Sequence, residues 1–395
     1  MTASPSLFSP IKIRDLTITN RVVISPMCQY SAGDGMANDW HLVHLGKFAQ
    51  GGAGIVFTEA AAVQRRGRIT HGDLGIWSDA HGQALAATTA FIRSMGSTSA
   101  IQLAHAGRKA SMQRPWHGNG PLNNDDRERG EEPWSVIAPS SEPLGEGWLL
   151  PSQMSRADIV QVIDDFASAA ARSHAAGFDI VEVHAAHGYL AASFLSPVSN
   201  HRQDEYGGNR QGRSRMLMEM VEAVRAAWPQ EKPLFVRVSA VDGAPDGWSI
   251  EDTVLLAKDL KQIGVDVIDC SSGGILGAAT AAKGSPPPLG FQVPFATAVK
   301  EQADLMTQAV GLILTPEQAE AIVAEGRADL IAIGREALFN PNWPVHAAQA
   351  LGADSDWARW PKQYGWWLSR RAKVLESIAE KKQLIDDLNK LNFKL

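Results

Sequence analysis

The chain has 395 residues, 45% apolar and 20% charged, so it can bury a large core without disulfides or a structural metal. Its 37 basic and 43 acidic side chains leave −6 with no long block of one sign, which speaks against a nucleic-acid binder or a polybasic membrane anchor. Apolar runs fall short of the ~18 residues of a spanning helix, Met1–Ser9 lacks a secretory pattern, and Cys28 and Cys270 alone cannot build a disulfide framework or an iron–sulfur cluster, so a cytoplasmic protein is expected.

Eight short apolar, β-branched runs recur along the chain: Val22–Pro26, Gly54–Thr58, Ala100–Ala104, Ile180–His184, Leu234–Ser239, Val265–Cys270, Ala309–Leu314 and Leu330–Ile333. Apolarity without polar alternation suits strands buried on both faces, as in a parallel sheet. Helical stretches separate them. Ser155–Ala176 opens on a capping-box-like Ser155-Arg156-Ala157-Asp158 and stops at Gly177, and Ile250–Ile263 follows Ser249 and stops at Gly264. Thr315-Pro316-Glu317-Gln318 supplies an N-cap and a proline in the first turn. Eight strand–helix alternations without a composition break predict one α/β domain, a single (β/α)8 TIM barrel. Two segments interrupt the repeat as long insertions after strands 3 and 4: His105–Pro151, with three tryptophans, and Ala185–Arg215. In a barrel the first of them lies on the catalytic face. Arg371–Leu395, with Ile378, Leu384, Ile385, Leu388 and Leu391 among Lys and Asp, reads as an amphipathic helical tail without an assigned role, outside a 1–370 barrel domain.

Chemistry is expected where the strands end. The fourth ends in His184-Ala185-Ala186-His187-Gly188-Tyr189. One reading makes His184 and His187 neutral metal ligands, with His105 or Glu59 as a third, in a zinc-dependent barrel hydrolase. The other uses two imidazole N–H donors to hold a carbonyl oxygen, with Tyr189 as general acid. The first strand ends in Ser25-Pro26-Met27-Cys28-Gln29-Tyr30, placing a thiol at the site as a nucleophile or as the redox-tuning neighbour of a cofactor. Cys270, by contrast, reads as core. Arg237 in the fifth strand needs an anionic partner, either a ligand or a buried carboxylate such as Glu182. Gly311, and Gly334 followed by Arg335, stand near the seventh and eighth strand ends, where barrels often hold a phosphate.

The segments Ser25–Tyr30, Gln102-Leu103-Ala104-His105-Ala106-Gly107-Arg108, His184–Tyr189 and Asp204-Glu205-Tyr206-Gly207-Gly208-Asn209-Arg210 together resemble the Old Yellow Enzyme family, in its bacterial branch with a cysteine beside the flavin. The similarity runs from about Leu7 to about Arg370. It implies an FMN-dependent ene-reductase that uses NADPH or NADH and reduces enones, enals or maleimides. Carried over by position, Ser25, Pro26, Met27, Cys28, Ala60 and Gln102 would line the isoalloxazine, and Arg237 would face its N1–C2 edge. Gly311, Gly334 and Arg335 would hold the phosphate. His184 and His187 would bind the substrate oxygen, Tyr189 would supply the proton, Tyr30 would touch substrate and Cys28 would modulate the flavin. Relatives lend a C-terminal arginine or tryptophan to a neighbouring subunit. Here the stretch reads Gln363-Tyr364-Gly365-Trp366-Trp367, so Trp366 is the expected replacement, in a homodimer or a higher even assembly.

Overall fold

The computed structural model describes residues 5–277 and 286–392, with 384–392 as backbone only. Eight parallel strands close into a barrel in sequence order: β1 Val22–Ile24, β2 Ile55–Ala62, β3 Thr98–Ala104, β4 Ile180–Ala185, β5 Leu234–Ser239, β6 Val267–Ser271, β7 Met306–Ala309 and β8 Leu330–Ile333. Each strand is buried on both faces, which is why its sequence shows no alternation. Between the strands run helices Asp39–Gln50, Asp79–Ser94, Arg156–Ala175, Arg210–Ala227, Ile250–Gln262, Val293–Ala303 and Pro316–Ala324, and two shorter ones, Arg335–Phe339 and Trp343–Ala350, follow β8. The single (β/α)8 barrel is as expected.

The helix starts follow the cap chemistry of the sequence. Ser155 and Asp158 form a reciprocal capping box, as do Ser249 and Asp252, and the Thr315 hydroxyl accepts from the Gln318 N–H.

The seventh strand differs from its expected span. It occupies Met306–Ala309 rather than Ala309–Leu314, because Gly311 and Leu312 have φ of 113° and 51° and cannot continue an extended chain. Its polar Thr307 and Gln308 escape an apolarity count although both are fully buried. The second strand outruns its expected end and reaches Ala62 through a register shift between Phe57 and Ala60.

A hairpin of Ile11–Ile13 and Leu16–Ile18 closes the amino-terminal end of the barrel. Ile11, Ile13 and Ile18 join Val23, Ile55, Phe57, Ile180 and Phe235 in one apolar cluster inside it. The rings of Phe57 and Phe235 stand 6.1 Å apart there. Outward-facing strand residues such as Ile24, Val56, Val181 and Val236 belong to the larger core shared with the helices.

After β3 the chain makes its long excursion, with a short helix Asn124–Glu128 capped by Asn123 and a small parallel pair, Ile137–Ala138 with Ser152–Gln153. At the other end helix Lys362–Asn392 leaves Trp366 and Trp367 exposed, at 52% and 67%. Val374, Leu375 and Ile378 on it are exposed as well, while the side chains of Leu384, Ile385, Leu388 and Leu391 lie outside those described.

Phe235→Ala should cost about 3–5 kcal/mol, because the closed interior cannot collapse around the lost ring. A fall in the urea midpoint relative to the wild-type chain measures it.

Candidate active site

The carboxyl ends of β1 and β4 bring the first group of residues together. Strand β4 ends on His184-Ala185, and the chain then turns through His187 and Gly188, with φ of 60° and 70°. The ring centroids of His184 and Tyr189 are 5.2 Å apart, as are those of His184 and His187, in each case edge to face. His184 Nδ1 accepts from the Ala186 N–H at 3.2 Å, which leaves its Nε2–H to donate elsewhere. His187 is held twice: its N–H donates to Ser239 Oγ at 2.8 Å and its Nε2 meets Ser271 Oγ at 2.6 Å. Burial, with Arg237 next, pushes both imidazoles well below their ordinary range, so both are neutral at pH 7. Burial pushes the Tyr189 phenol up, and it keeps its proton.

Below this group the barrel carries a charged layer. In register, Arg237 sits beside Asp269 and Gln102 beside Glu182. Arg237 Nε is 3.1 Å from Asp269 Oδ2, and Gln102 Nε2 donates to Glu182 Oε1 at 2.7 Å. The buried carboxylate partner expected for Arg237 is therefore Asp269 on β6, not Glu182. Burial and then Asp269 push Glu182 up to about 8, and burial also raises Asp269. One guanidinium stands against two buried carboxyls, so near neutrality one of the two holds a proton.

The β1 segment lies across from His184. Ser25 N–H still donates to the Ile333 carbonyl at 3.0 Å, Gln29 N–H donates to Glu59 Oε2 at 3.0 Å, and Tyr30 takes a φ of 53°. Cys28 packs with Tyr189, Trp134 and Trp148 against Ile69, Ala106 and Met112, so the β3 excursion walls the site as expected. Burial, then Asp73 and Glu59, push the Cys28 thiol well up. A thiol held protonated is a poor nucleophile, which favours the cofactor-neighbour reading. Ala60 lines a pocket together with Ile69, Asp73, Ala106 and Tyr189. Tyr30 meets Trp116 edge to face at 5.8 Å. Cys270 is fully buried in the core.

Three observations fit FMN. Arg237 is 7% exposed, and its Nε has no hydrogen-bond acceptor because Asp269 lies out of line. At Gly311, with φ of 113°, a Cβ would stand 2.8 Å from Gln292 Nε2 and 2.9 Å from the Phe291 ring, so the position suits glycine. At Gly334 the nearest atoms to a Cβ, in Met27 and Ser25, are 4.0 Å away, and Arg335 opens the next helix. A phosphate cradle at the ends of β7 and β8 calls for groups of this kind. Trp366 is not gathered with these groups: it stands exposed on its helix with Arg370 3.8 Å above its ring.

The metal reading fails on its third ligand. His105 Nδ1 accepts from Gly107 N–H while its Nε2 meets Gln64, and Glu59 pairs with His41 at 3.3 Å. Among the described residues the metal-compatible cluster is His117, Asp126 and Glu131, out in the excursion, where Arg129 and Arg114 already hold the two carboxylates. The sequence reading passed over Lys109, Ser239, Ser271 and Asp269. An acid inside the apolar run Val267-Ile268-Asp269-Cys270, and a lysine inside the buried run Ala104–Met112, were the available signals.

These groups suit a flavin, and the class they define is a flavin-dependent oxidoreductase on a TIM barrel. The family model described as NADH:flavin oxidoreductase / NADH oxidase family matches residues 6–354, and the chain belongs to that family. An NADPH dehydrogenase of a Geobacillus species is 45% identical over 348 residues, 88% of this chain and 94% of its own length. The NADPH dehydrogenase of Geobacillus thermodenitrificans is 43% identical over 364 residues, covering 91% and 98%. Among solved structures, the Old Yellow Enzyme homologue from Zymomonas mobilis superposes with a TM-score of 0.71 at 25% identity, over 88% of this chain and 93% of that one. The protein is an NAD(P)H:flavin oxidoreductase with FMN as its cofactor, and the resemblance to the Old Yellow Enzyme family holds.

Glu182 generates a pH prediction. Its folded value of about 8 lies above the ordinary 4.5, so the folded state keeps a proton the unfolded chain has released. Stability from this group is complete below pH 4.5 and is lost as pH rises through about 8. Glu182→Gln, which mimics the protonated acid, should flatten that fall in a series of melting temperatures across the same window.

Proposed function

We propose that the protein is an ene-reductase that takes hydride from NADPH or NADH and delivers it to the β-carbon of α,β-unsaturated ketones, aldehydes or maleimides. The observation that carries this reading is a pair of neutral imidazoles beside a protonated phenol at the end of β4. FMN, when bound, takes up the hydride of the reduced nicotinamide and gives it on to the substrate.

His184 donates from Nε2, and His187 binds beside it, so the substrate's carbonyl oxygen is held by two donors that strengthen as negative charge grows on it. Neutrality matters, because an imidazole without a net charge can donate without first drawing in a counter-ion. Tyr189 gives its proton to the α-carbon, and Tyr30 contacts the substrate from the β1 side. Cys28, held as a thiol, modulates the flavin. Ser25, Pro26, Met27, Ala60 and Gln102 would line the ring, Arg237 would stabilise negative charge on the reduced ring, and Gly311, Gly334 and Arg335 would hold the phosphate. Residues 1–370 form the FMN-binding unit, and the curated relatives named NADPH dehydrogenase favour NADPH as reductant.

The working form is a homodimer or a higher even assembly in the cytoplasm, with Trp366 offered to a neighbour's pocket. The exposure of Trp366 and Trp367 supports this, and none of the described helices is long and apolar enough to cross a membrane.

The visible spectrum tests the reading. A yellow protein should bleach with anaerobic NADPH and regain its colour on addition of 2-cyclohexenone. Tyr189→Phe should slow the recolouring by ~10²–10⁴-fold, the range of a general acid, with flavin reduction largely intact. Protein that stays colourless after incubation with FMN sinks the proposal, and equal loss in both half-reactions removes Tyr189 as the proton donor.

A further inference from the structure

Lys109 ends the single turn Gly107–Lys109 after β3 and is 1% exposed. A lysine buried this far costs desolvation unless its hydrogens are used. Its Nζ donates to the His187 carbonyl at 2.6 Å and to the Gly274 carbonyl at 2.7 Å. It also lies 5.2 Å from the centroid of the Tyr189 ring. The two acceptors belong to different loops, one after β4 and one after β6. Next to it, Arg108 donates to the Ile275 carbonyl at 3.0 Å, a second tie to the same loop.

The loops meet backbone to backbone, at positive φ in both. His187 has φ of 60° and Gly274 of 91°, and a Cβ on Gly274 would stand 2.6 Å from His187 Cα. A Cβ on Gly188 would in turn collide with the Gly274 carbonyl. Two bridges hold the loops at this distance: Ser239 Oγ accepts from the His187 N–H and donates to the Gly273 carbonyl at 2.8 Å, and Lys109 Nζ binds the His187 and Gly274 carbonyls. Burial and then Arg108 lower Lys109 to about 7. Ammonium and amine both carry the two hydrogens that two carbonyls require, so the bridge outlasts titration.

His187 has anchors of its own in Ser239 and Ser271, whereas among the described residues no hydrogen bond holds the Tyr189 hydroxyl. The phenol is therefore placed by the packing of its ring and by the turn beneath it. We propose that Lys109 is a positioning residue for proton delivery: by tying the His187–Tyr189 turn to the loop after β6, it fixes the phenol of Tyr189 in line for proton transfer. This rests on Tyr189 being the proton donor.

The test is anaerobic stopped-flow on the FMN-loaded protein, with NADPH for flavin reduction and 2-cyclohexenone for reoxidation, joined to amide hydrogen exchange. Lys109→Met should slow reoxidation ~10- to 100-fold, the cost of a misplaced reacting group, and leave reduction at the wild-type rate. Exchange should quicken at the amides of His187 and Tyr189 while helix Arg156–Ala175 stays protected. Gly274→Ala, which pushes the same loops apart and leaves Lys109 in place, should give the same split between half-reactions and serves if Lys109→Met does not fold. In a Tyr189→Phe background Lys109→Met should add no further slowing. Wild-type reoxidation in Lys109→Met, equal loss in both half-reactions, or additivity with Tyr189→Phe would each overturn the proposal. If Tyr189→Phe itself leaves reoxidation unchanged, the proton-donor reading falls and this one with it. If Tyr189→Phe slows reoxidation and Lys109→Met does not, only the role of Lys109 falls.

Discussion

The pairing of Arg237 with Asp269, above the apolar cluster that fills the lower half of the barrel, is the constraint to which the site answers. A guanidinium cannot leave the protein interior by losing its proton, so its surroundings must supply negative charge. They supply more than is needed, since Glu182 lies in the same layer and is held protonated by burial and by Asp269. Arg237 in turn acts upward. It is the first charge after burial that keeps His184 and His187 neutral, and neutral imidazoles are what the carbonyl-binding reading requires. Its Nε lacks an acceptor of good geometry, one of the features that fits a flavin.

Stiffness is distributed to match. The β4 turn is fixed from three sides: Ser239 and Ser271 hold His187, and Lys109 holds the turn to the loop after β6. Catalysis by placed donors needs this kind of support, because a hydrogen-bond donor that must first be moved into line contributes little at the moment of reaction. The wall opposite is made of larger, apolar pieces. Trp134, Trp148 and Cys28 pack against one small cluster that includes Ile69, Ala106 and Met112, and Trp134 is itself fixed by its indole N–H to the Arg66 carbonyl at 2.9 Å.

The barrel was legible in the sequence wherever strands were apolar on both faces, and the helix starts wherever Ser155, Ser249 and Thr315 stood ahead of an acceptor. The seventh strand was misplaced because its ladder residues Thr307 and Gln308 are polar and buried, and polarity inside a parallel barrel mimics a loop. His184 stands at the end of β4 and Tyr189 just past it, and Arg237 lies two residues before the end of β5, so residue type and position singled them out. Lys109 and Asp269 were not singled out. Lys109 lies 78 residues from His187 and 165 from Gly274, and nothing local in sequence links them. The carboxylate facing Arg237 was likewise fixed by register, which places Asp269 on the next strand directly opposite.

The hairpin Ile11–Ile18 plugs one end of the barrel with isoleucines, and this governs traffic. With that end closed, the open face lies at the carboxyl ends of the strands, where the candidate site residues stand. On the proposed reading, reductant and acceptor would come to one place from that side, and an excess of either would delay the other by holding the place it needs.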